Sequence, residues 1–286
     1  MQFTKGHGTG NDFVILPDPD GELPLTPATV AALCDRRRGV GADGVLRVIR
    51  AAKHPEGAAY AAEAEWFMDY WNADGSLAEM CGNGVRVFTR YLLSAGLAEP
   101  EEAGLPIATR SGVVRAVVGP AAVGRLVVAD GEIAADLGAP RLYGDSTAVL
   151  PGLTLNGSVV DCGNPHLVCS LPTGVELSAL DLTRAPGSDP AVFPAGVNVE
   201  FVTPGEPVAG ADLHMLMRVY ERGSAETLSC GSGAVAVAAA ALRDANLTEG
   251  VVAVDVPGGR LTITLDGDSA WLAGPALLVA QGTTLP

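Results

Sequence analysis

Ser229-Cys230-Gly231-Ser232-Gly233, running into Ala234–Arg243, is the stretch whose reading decides the fold. Ala234 to Arg243 is apolar on every side and mostly alanine. A helix with no polar face is buried all round. A curved sheet wrapped about a central helix is the simplest arrangement that buries it so. An earlier stretch has the same order: Met80-Cys81-Gly82-Asn83-Gly84, then Val85, Phe88 and Leu92 on one helical face, then Gly96 as a stop. Each stretch puts a thiol at the start of a helix.

The flanks repeat as well. Asn11-Asp12-Phe13-Val14 in the first half resembles Asn198-Val199-Glu200-Phe201-Val202 in the second. Gly75-Ser76 precedes Cys81, and Gly223-Ser224 precedes Cys230. Each match alone is weak, but their shared order predicts two homologous halves. Cys162-Gly163-Asn164 repeats the first tripeptide, yet Pro165 follows with no long helical pattern, so Cys162 reads as a decoy. Cys34 and Cys169 read as inert buried thiols.

The 286 residues suffice for one large domain or two medium ones. Hydrophobic residues at 48% and charged ones at 18% exclude disorder. The 36 glycines and 20 prolines fit the many turns of a strand-rich fold. A net charge of −15 argues against nucleic acid and anionic membrane as partners. The N-terminus has no signal-like apolar core, and the longest apolar run, Ala234–Leu242, is too short to span a bilayer. Five cysteines, an odd number, widely spaced, point to reduced thiols in a cytoplasm. No C-x-x-C pair occurs and the four histidines do not cluster with the cysteines, so no metal site is expected.

Among the elements, Thr26 and Pro27 start a predicted helix reaching Arg38, and Gly39–Gly44 is a tight loop before a strand over Val45–Arg50. His54–Tyr60 reads as a polar hairpin tip, Ala64–Trp71 as a strand, Asn72–Gly75 as a turn, and Leu180–Arg184 as a short helix. The glycines of Lys5–Gly10 lack dinucleotide-binding spacing. The half boundary falls near Gly119-Pro120.

A thiol at a helix N-terminus meets unpaired N–H groups and the positive end of the helix dipole. Both favour thiolate, which predicts a fall from about 8.5 towards neutrality for both cysteines. The glycines keep those N–H groups accessible to a carboxylate. Two such ends facing one another suit stereoinversion: one thiolate takes an α-proton and the opposite thiol returns one to the other face. His166, Glu221-Arg222 and the asparagines could equally be structural: a satisfied histidine, a surface ion pair and turn residues.

Across nearly its whole length the sequence resembles the diaminopimelate epimerases. The resemblance is carried by His7–Val14, Gly39–Gly44, Asn72–Ser76, Glu79–Arg86, Gly163–His166, Gly196–Asn198, Glu221–Gly223 and Glu226–Gly233. It implies an α+β fold of two pseudo-symmetric domains, each a mostly antiparallel β-barrel or curved sheet around a central helix, with the site in the cleft. The halves would be 1–122 with 275–286, and 123–274. It further implies a cytoplasmic homodimer that serves lysine and peptidoglycan synthesis by interconverting LL-2,6-diaminopimelate and the meso form without a cofactor.

 In plain terms, the implied reaction is a cofactor-free epimerisation of a small-molecule amino acid. Carried over by position, Cys81 and Cys230 would be base and acid. Gly82, Asn83, Gly231 and Ser232 would offer backbone donors to the reacting carboxylate. Asn11, Asn72, Asn164, Asn198 and Arg222 would bind substrate, the last four mainly at the distal end, where an arginine suits a carboxylate. Glu221 would bind at the reacting end and His166 would support it.

Ser232 stands where threonine is common, Gly44 where some members have glutamine, and Ala225 where glycine is common, which alters the turn before Cys230. Three rivals remain open. A proline or hydroxyproline racemase shares the two cysteines but has no distal amino-acid end to bind, and Asn72, Asn198 and Arg222 argue against it. A redox switch pairing Cys81 with Cys230 and an amino-acid-binding protein are the others.

Overall fold

The computed structural model describes residues 1–284. Leu285 and Pro286, expected with the first half, lie outside the described residues. The chain divides into two compact units. The first comprises Met1–Ala121, Val127–Asp136 and the chain from Gly274; the second comprises Ala122–Leu126 and Leu137–Ala273.

In the first unit, β1 (Gln2–Gly8) pairs antiparallel with β2 (Asn11–Pro17) and with the strand Leu277–Thr283. α1 (Pro27–Cys34) connects β2 to its parallel neighbour β3 (Gly44–Arg50). β3 pairs antiparallel with β4 (Trp66–Asn72). α2 (Gly82–Ser94) then connects β4 to its parallel neighbour β5 (Leu105–Thr109), and β6 (Gly112–Val118) pairs antiparallel with β5. A separate hairpin, β7 (Ala121–Val123) and β8 (Leu126–Val128), whose stretch Ala122–Leu126 is assigned to the second unit, precedes β9 (Glu132–Asp136). β9 pairs with β6, which places Val127–Asp136 with the first unit rather than in the expected stretch 123–274.

All of these strands except β7 and β8 pack against α2, so the sheet encloses the helix. Val85, Val87, Phe88 and Leu92 are fully buried on it. The sheet is mostly antiparallel, with parallel neighbours where a helix returns the chain to the end it left.

The second unit repeats this plan. β10 (Arg141–Leu150), β11 (Leu153–Asp161) and β12 (Pro165–Ser170) form an antiparallel run, with the short β13 (Gly187–Ser188) beside β10. β14 (Asn198–Pro204) is parallel to β12 and antiparallel to β15 (Leu213–Glu221), which also pairs with β16 (Ala225–Thr227). α3 (Gly231–Asp244) connects to β17 (Gly250–Val256), parallel to β15, and β18 (Gly259–Asp266) and β19 (Ser269–Pro275) follow antiparallel. Strands β11, β12, β14, β15, β17 and β18 pack on α3. Ala234 to Ala238 are fully buried, as an all-apolar helix requires.

Three local expectations are corrected. α1 stops at Cys34 instead of Arg38, because Asp35 is extended and its carboxylate accepts the Arg37 and Arg38 N–H groups, each at 2.9 Å. His54–Tyr60 is no polar hairpin tip: His54 is buried and stacks on Phe67 at 4.4 Å, between two short 3-10 turns. Leu180–Arg184 is not helical. Its nearest turn is Leu177–Ala179, and Arg218 binds the Leu177 and Leu180 carbonyls, turning the segment onto β15.

Candidate active site

Cys81 is the N-cap of α2, in extended backbone with φ −147°. Its sulfur accepts the Gly84 N–H at 3.4 Å and lies 3.6 Å from Asn11 Oδ1. Gly84 packs closely here: a Cβ there would meet the Cys81 Cβ at 3.3 Å. Asn11 sits at the start of β2, opposite Gly8 of β1, so the β1–β2 turn carries it to the helix end. Asn83 and Gly82 are buried on the first turn of α2. Asn72 lies elsewhere in this unit: it closes the turn before α2 by donating to Ser76 Oγ at 3.0 Å.

Around Asn11 the Gly39–Gly44 loop does work the sequence reading did not assign to it. Asp43 accepts the Asn11 side-chain N–H at 2.9 Å, and Arg36 bridges Asp43 and Asp12, at 2.7 Å to each. Lys5 completes the cluster at 2.6 Å from Asp12. Burial opposes the charge on Asp12, but Arg36 and Lys5 outweigh it and hold its carboxyl well below the usual range.

Cys230 is the N-cap of α3, buried where Cys81 is half-exposed. Its sulfur is 3.7 Å from Ser232 Oγ. Burial, with the Glu221 and Glu200 carboxylates nearby, pushes this thiol well above its ordinary value. That reverses the expectation of a lowered value: for Cys230, desolvation and two negative neighbours outweigh the helix end. Glu221 ends β15, accepts from Thr227 Oγ1, and is raised by burial.

Glu200 and Thr227 escaped the sequence reading. Glu200 is fully buried on β14, 2.7 Å from His166 Nδ1 of the neighbouring β12. His166 Nε2 in turn meets Asn164 Oδ1 at 3.0 Å. Gly233 must lack a side chain, since a Cβ would sit 2.6 Å from Glu200 Oε1. Asn198 accepts the Arg222 N–H at 2.9 Å, and Arg222 reaches the Ala195 carbonyl at 3.1 Å. The structure thus gathers Asn164, His166, Glu221, Ser232 and Cys230 around Glu200 and α3, with Asn198 and Arg222 along the β14–β15 end. The one signal for Glu200 was its place in the strand Asn198–Val202, an acid flanked by Val199, Phe201 and Val202.

Cys162 precedes β12, a strand, through a left-handed Gly163 with φ +88°. Burial raises its thiol, as it pushes Cys34 up to about 11 and Cys169 up to about 12.

The model of the family described as diaminopimelate epimerase matches residues 3–125 and 158–279. The chain belongs to the diaminopimelate epimerase family. It is 51% identical to the diaminopimelate epimerase of Rhodococcus jostii (strain RHA1), over 99% of this chain and 96% of that one. It is also 51% identical to that of Thermobifida fusca (strain YX), over 99% and 97%. A Bacillus anthracis phenazine biosynthesis protein of the PhzF family has the same fold, with a TM-score of 0.69 at 17% identity, over 100% of this chain and 99% of that one. So does a hydroxyproline epimerase from Agrobacterium vitis, with a TM-score of 0.65 at 15% identity, over 99% and 91%. As a diaminopimelate epimerase family member the chain is an isomerase. No helix among the described residues is long and apolar enough to cross a membrane.

Ala225, in the turn before Cys230, has φ +62°. A left-handed alanine costs about 1–2 kcal/mol, whereas glycine loses about 0.5–1 kcal/mol more backbone entropy on folding. Ala225→Gly is therefore expected to raise stability by about 0.5–1 kcal/mol. Urea unfolding midpoints check this; an unchanged or lower midpoint counts against strain at the turn.

Proposed function

We propose that this protein interconverts LL-2,6-diaminopimelate and meso-diaminopimelate by proton transfer through Cys81 and Cys230, without a cofactor. The observation that carries the reading is the contrast between two thiols that cap equivalent helices. Cys230 sits among carboxylates that keep its proton on, which suits an acid. Cys81 sits at a helix end where the buried Arg86 guanidinium favours its negative form, which suits a base.

In one direction, the Cys81 thiolate removes the α-proton. The electron pair delocalises onto the substrate carboxylate, and helix-end N–H groups at Gly82, Asn83, Gly231 and Ser232 stabilise that charge. Cys230 then gives its S–H proton to the opposite face of the carbon. Cys81 is left as thiol and Cys230 as thiolate, so the reverse direction uses the same groups with roles exchanged. Asn11, Glu221 and His166 serve the reacting end. Asn72, Asn164, Asn198 and Arg222 select the distal amino-acid end.

The test is α-deuterium incorporation from D2O, with LL-diaminopimelate and proline as alternative substrates. Deuterium entering both diaminopimelate isomers, and not proline, is the expected result. Exchange confined to proline overturns the substrate assignment and restores the racemase reading.

A further inference from the structure

Arg86 is fully buried on α2, one turn beyond Cys81. Its hydrogen bonds go to an amide and a carbonyl rather than to a carboxylate. Nη2 donates to Asn83 Oδ1 at 2.5 Å and Nη1 to the Pro275 carbonyl at 3.3 Å, while Nε has no partner among the described residues. The fold makes room for it: a Cβ on Gly8 would lie 3.1 Å from Nη2. A buried guanidinium is costly to keep, and this one is pushed down to about 10 by burial.

A guanidinium only donates and a carboxylate only accepts. Arg86 therefore commits Asn83 Oδ1 and leaves Asn83 Nδ2 as a donor, which reaches Asn11 Oδ1 at 3.4 Å. At the other end Asp43, fixed by Arg36, commits Asn11 Nδ2. Asn11 Oδ1 is thereby the atom turned toward the Cys81 sulfur, at 3.6 Å. We propose that Asp43 and Arg86 are positioning residues for Cys81, gripping the two amides of Asn11 and Asn83 from opposite ends so that a carbonyl oxygen faces the thiol. This rests on the reading of Cys81 as a catalytic base. The carbonyl accepts the S–H hydrogen and opposes the thiolate, while the Arg86 charge and the Gly84 N–H favour it.

The other charged groups on α2 and the elements around it are as follows, Arg90 of α2 being bound to the Ala276 and Gly131 carbonyls. Asp12 is paired with Lys5 and Arg36, and Asp69 with Arg47 and Arg110. Arg50 pairs with Asp20, and Arg115 binds the Gly104 carbonyl. His7 accepts the Gly10 N–H. On β9, Asp136 is present and Glu132 attracts Arg86.

The test follows alkylation of Cys81 by iodoacetamide as a function of pH, read by mass spectrometry of the Cys81 peptide in the full-length protein. The two ends predict opposite signs. Arg86→Met removes a positive charge and is expected to raise the apparent pKa of Cys81 by about one unit, which slows alkylation about tenfold below that pKa. Asp43→Asn removes a negative charge and frees Asn11 to turn its N–H2 toward the sulfur. Its apparent pKa is expected to fall by about one unit. Arg86→Lys keeps the charge and a donor for Asn83 Oδ1 and is expected to leave the profile in place. A merely structural role lowers melting temperature without moving the profiles. Shifts of the same sign, or an unmoved profile in Asp43→Asn, overturn the proposal. If Arg86→Met does not fold, Asp43→Asn and Arg86→Lys decide alone. Wild-type epimerisation is measured in parallel: its absence overturns the functional reading, and the alkylation profiles still judge the amide grip.

Discussion

Cys81→Ala and Cys230→Ala are each expected to lower kcat/KM for diaminopimelate by about 10²- to 10⁴-fold, the usual contribution of a positioned acid or base. The loss should be similar for both, because inversion needs a proton taken on one face and another given on the opposite face. Asn11 Oδ1, beside the Cys81 sulfur, is an amide oxygen and no base at neutral pH. Around Cys230 the nearest hydroxyl, Ser232, ionises far above any thiol. Serine in place of either cysteine should therefore be as damaging as alanine. Cys162→Ala serves as the control, since that residue leads into a strand, and its activity is expected to match wild type. Chiral chromatography of the two isomers reads the rates. Near-wild-type turnover in either alanine variant would sink the two-thiol mechanism.

The second large effect is on stability at alkaline pH. Burial, the main cause in each case, raises the thiols of Cys34 and Cys169 to about 11 and about 12. The sign follows from linkage. Below the unfolded thiol pKa both states hold the proton and nothing is lost. As pH rises from there to the folded pKa, the unfolded chain gives up the proton first, and stability falls. For Cys34 the window runs from about 9 to about 11. At about 1.4 kcal/mol per unit, that is a loss on the order of 2–3 kcal/mol. Comparing Cys34→Ala with wild type cancels the lysines and tyrosines common to both. The variant starts less stable near pH 8, and the gap is expected to close by roughly 2 kcal/mol by about pH 11. Urea unfolding at each pH measures it. A gap that stays constant means the Cys34 thiol titrates as it does in the unfolded chain.

Much of the fold was legible because its signals are local. An all-apolar helix has to be enclosed, so Ala234–Leu242 foretold a wrapped helix without any neighbour being known. Cys81-Gly82 and Cys230-Gly231 each marked a real N-cap. Chain punctuation failed where a tertiary contact overrode it. The basic run 36–38 looked like a helix end, yet Asp35 captures its N–H groups, and Arg36 is needed by Asp12 and Asp43. His54, in a polar sequence, is drawn under by Phe67 and Asp69.

By itself the sequence determined the thiol at the head of each enclosed helix, and the family. Those follow from residue type and spacing within a few residues, where capping and burial act. Only the tertiary structure decided what each thiol experiences. Glu200 and His166 lie 34 residues apart in the chain, and Asn11 is 70 residues from Cys81. Strand pairing brings the first pair to the head of α3, and the β1–β2 turn brings Asn11 to the head of α2. A thiol's proton affinity depends on burial and on the charges around it, and sheet topology supplies both. Two nearly identical sequence signals therefore became unlike groups: one thiol buried among carboxylates, the other half-exposed between a carbonyl and a buried arginine.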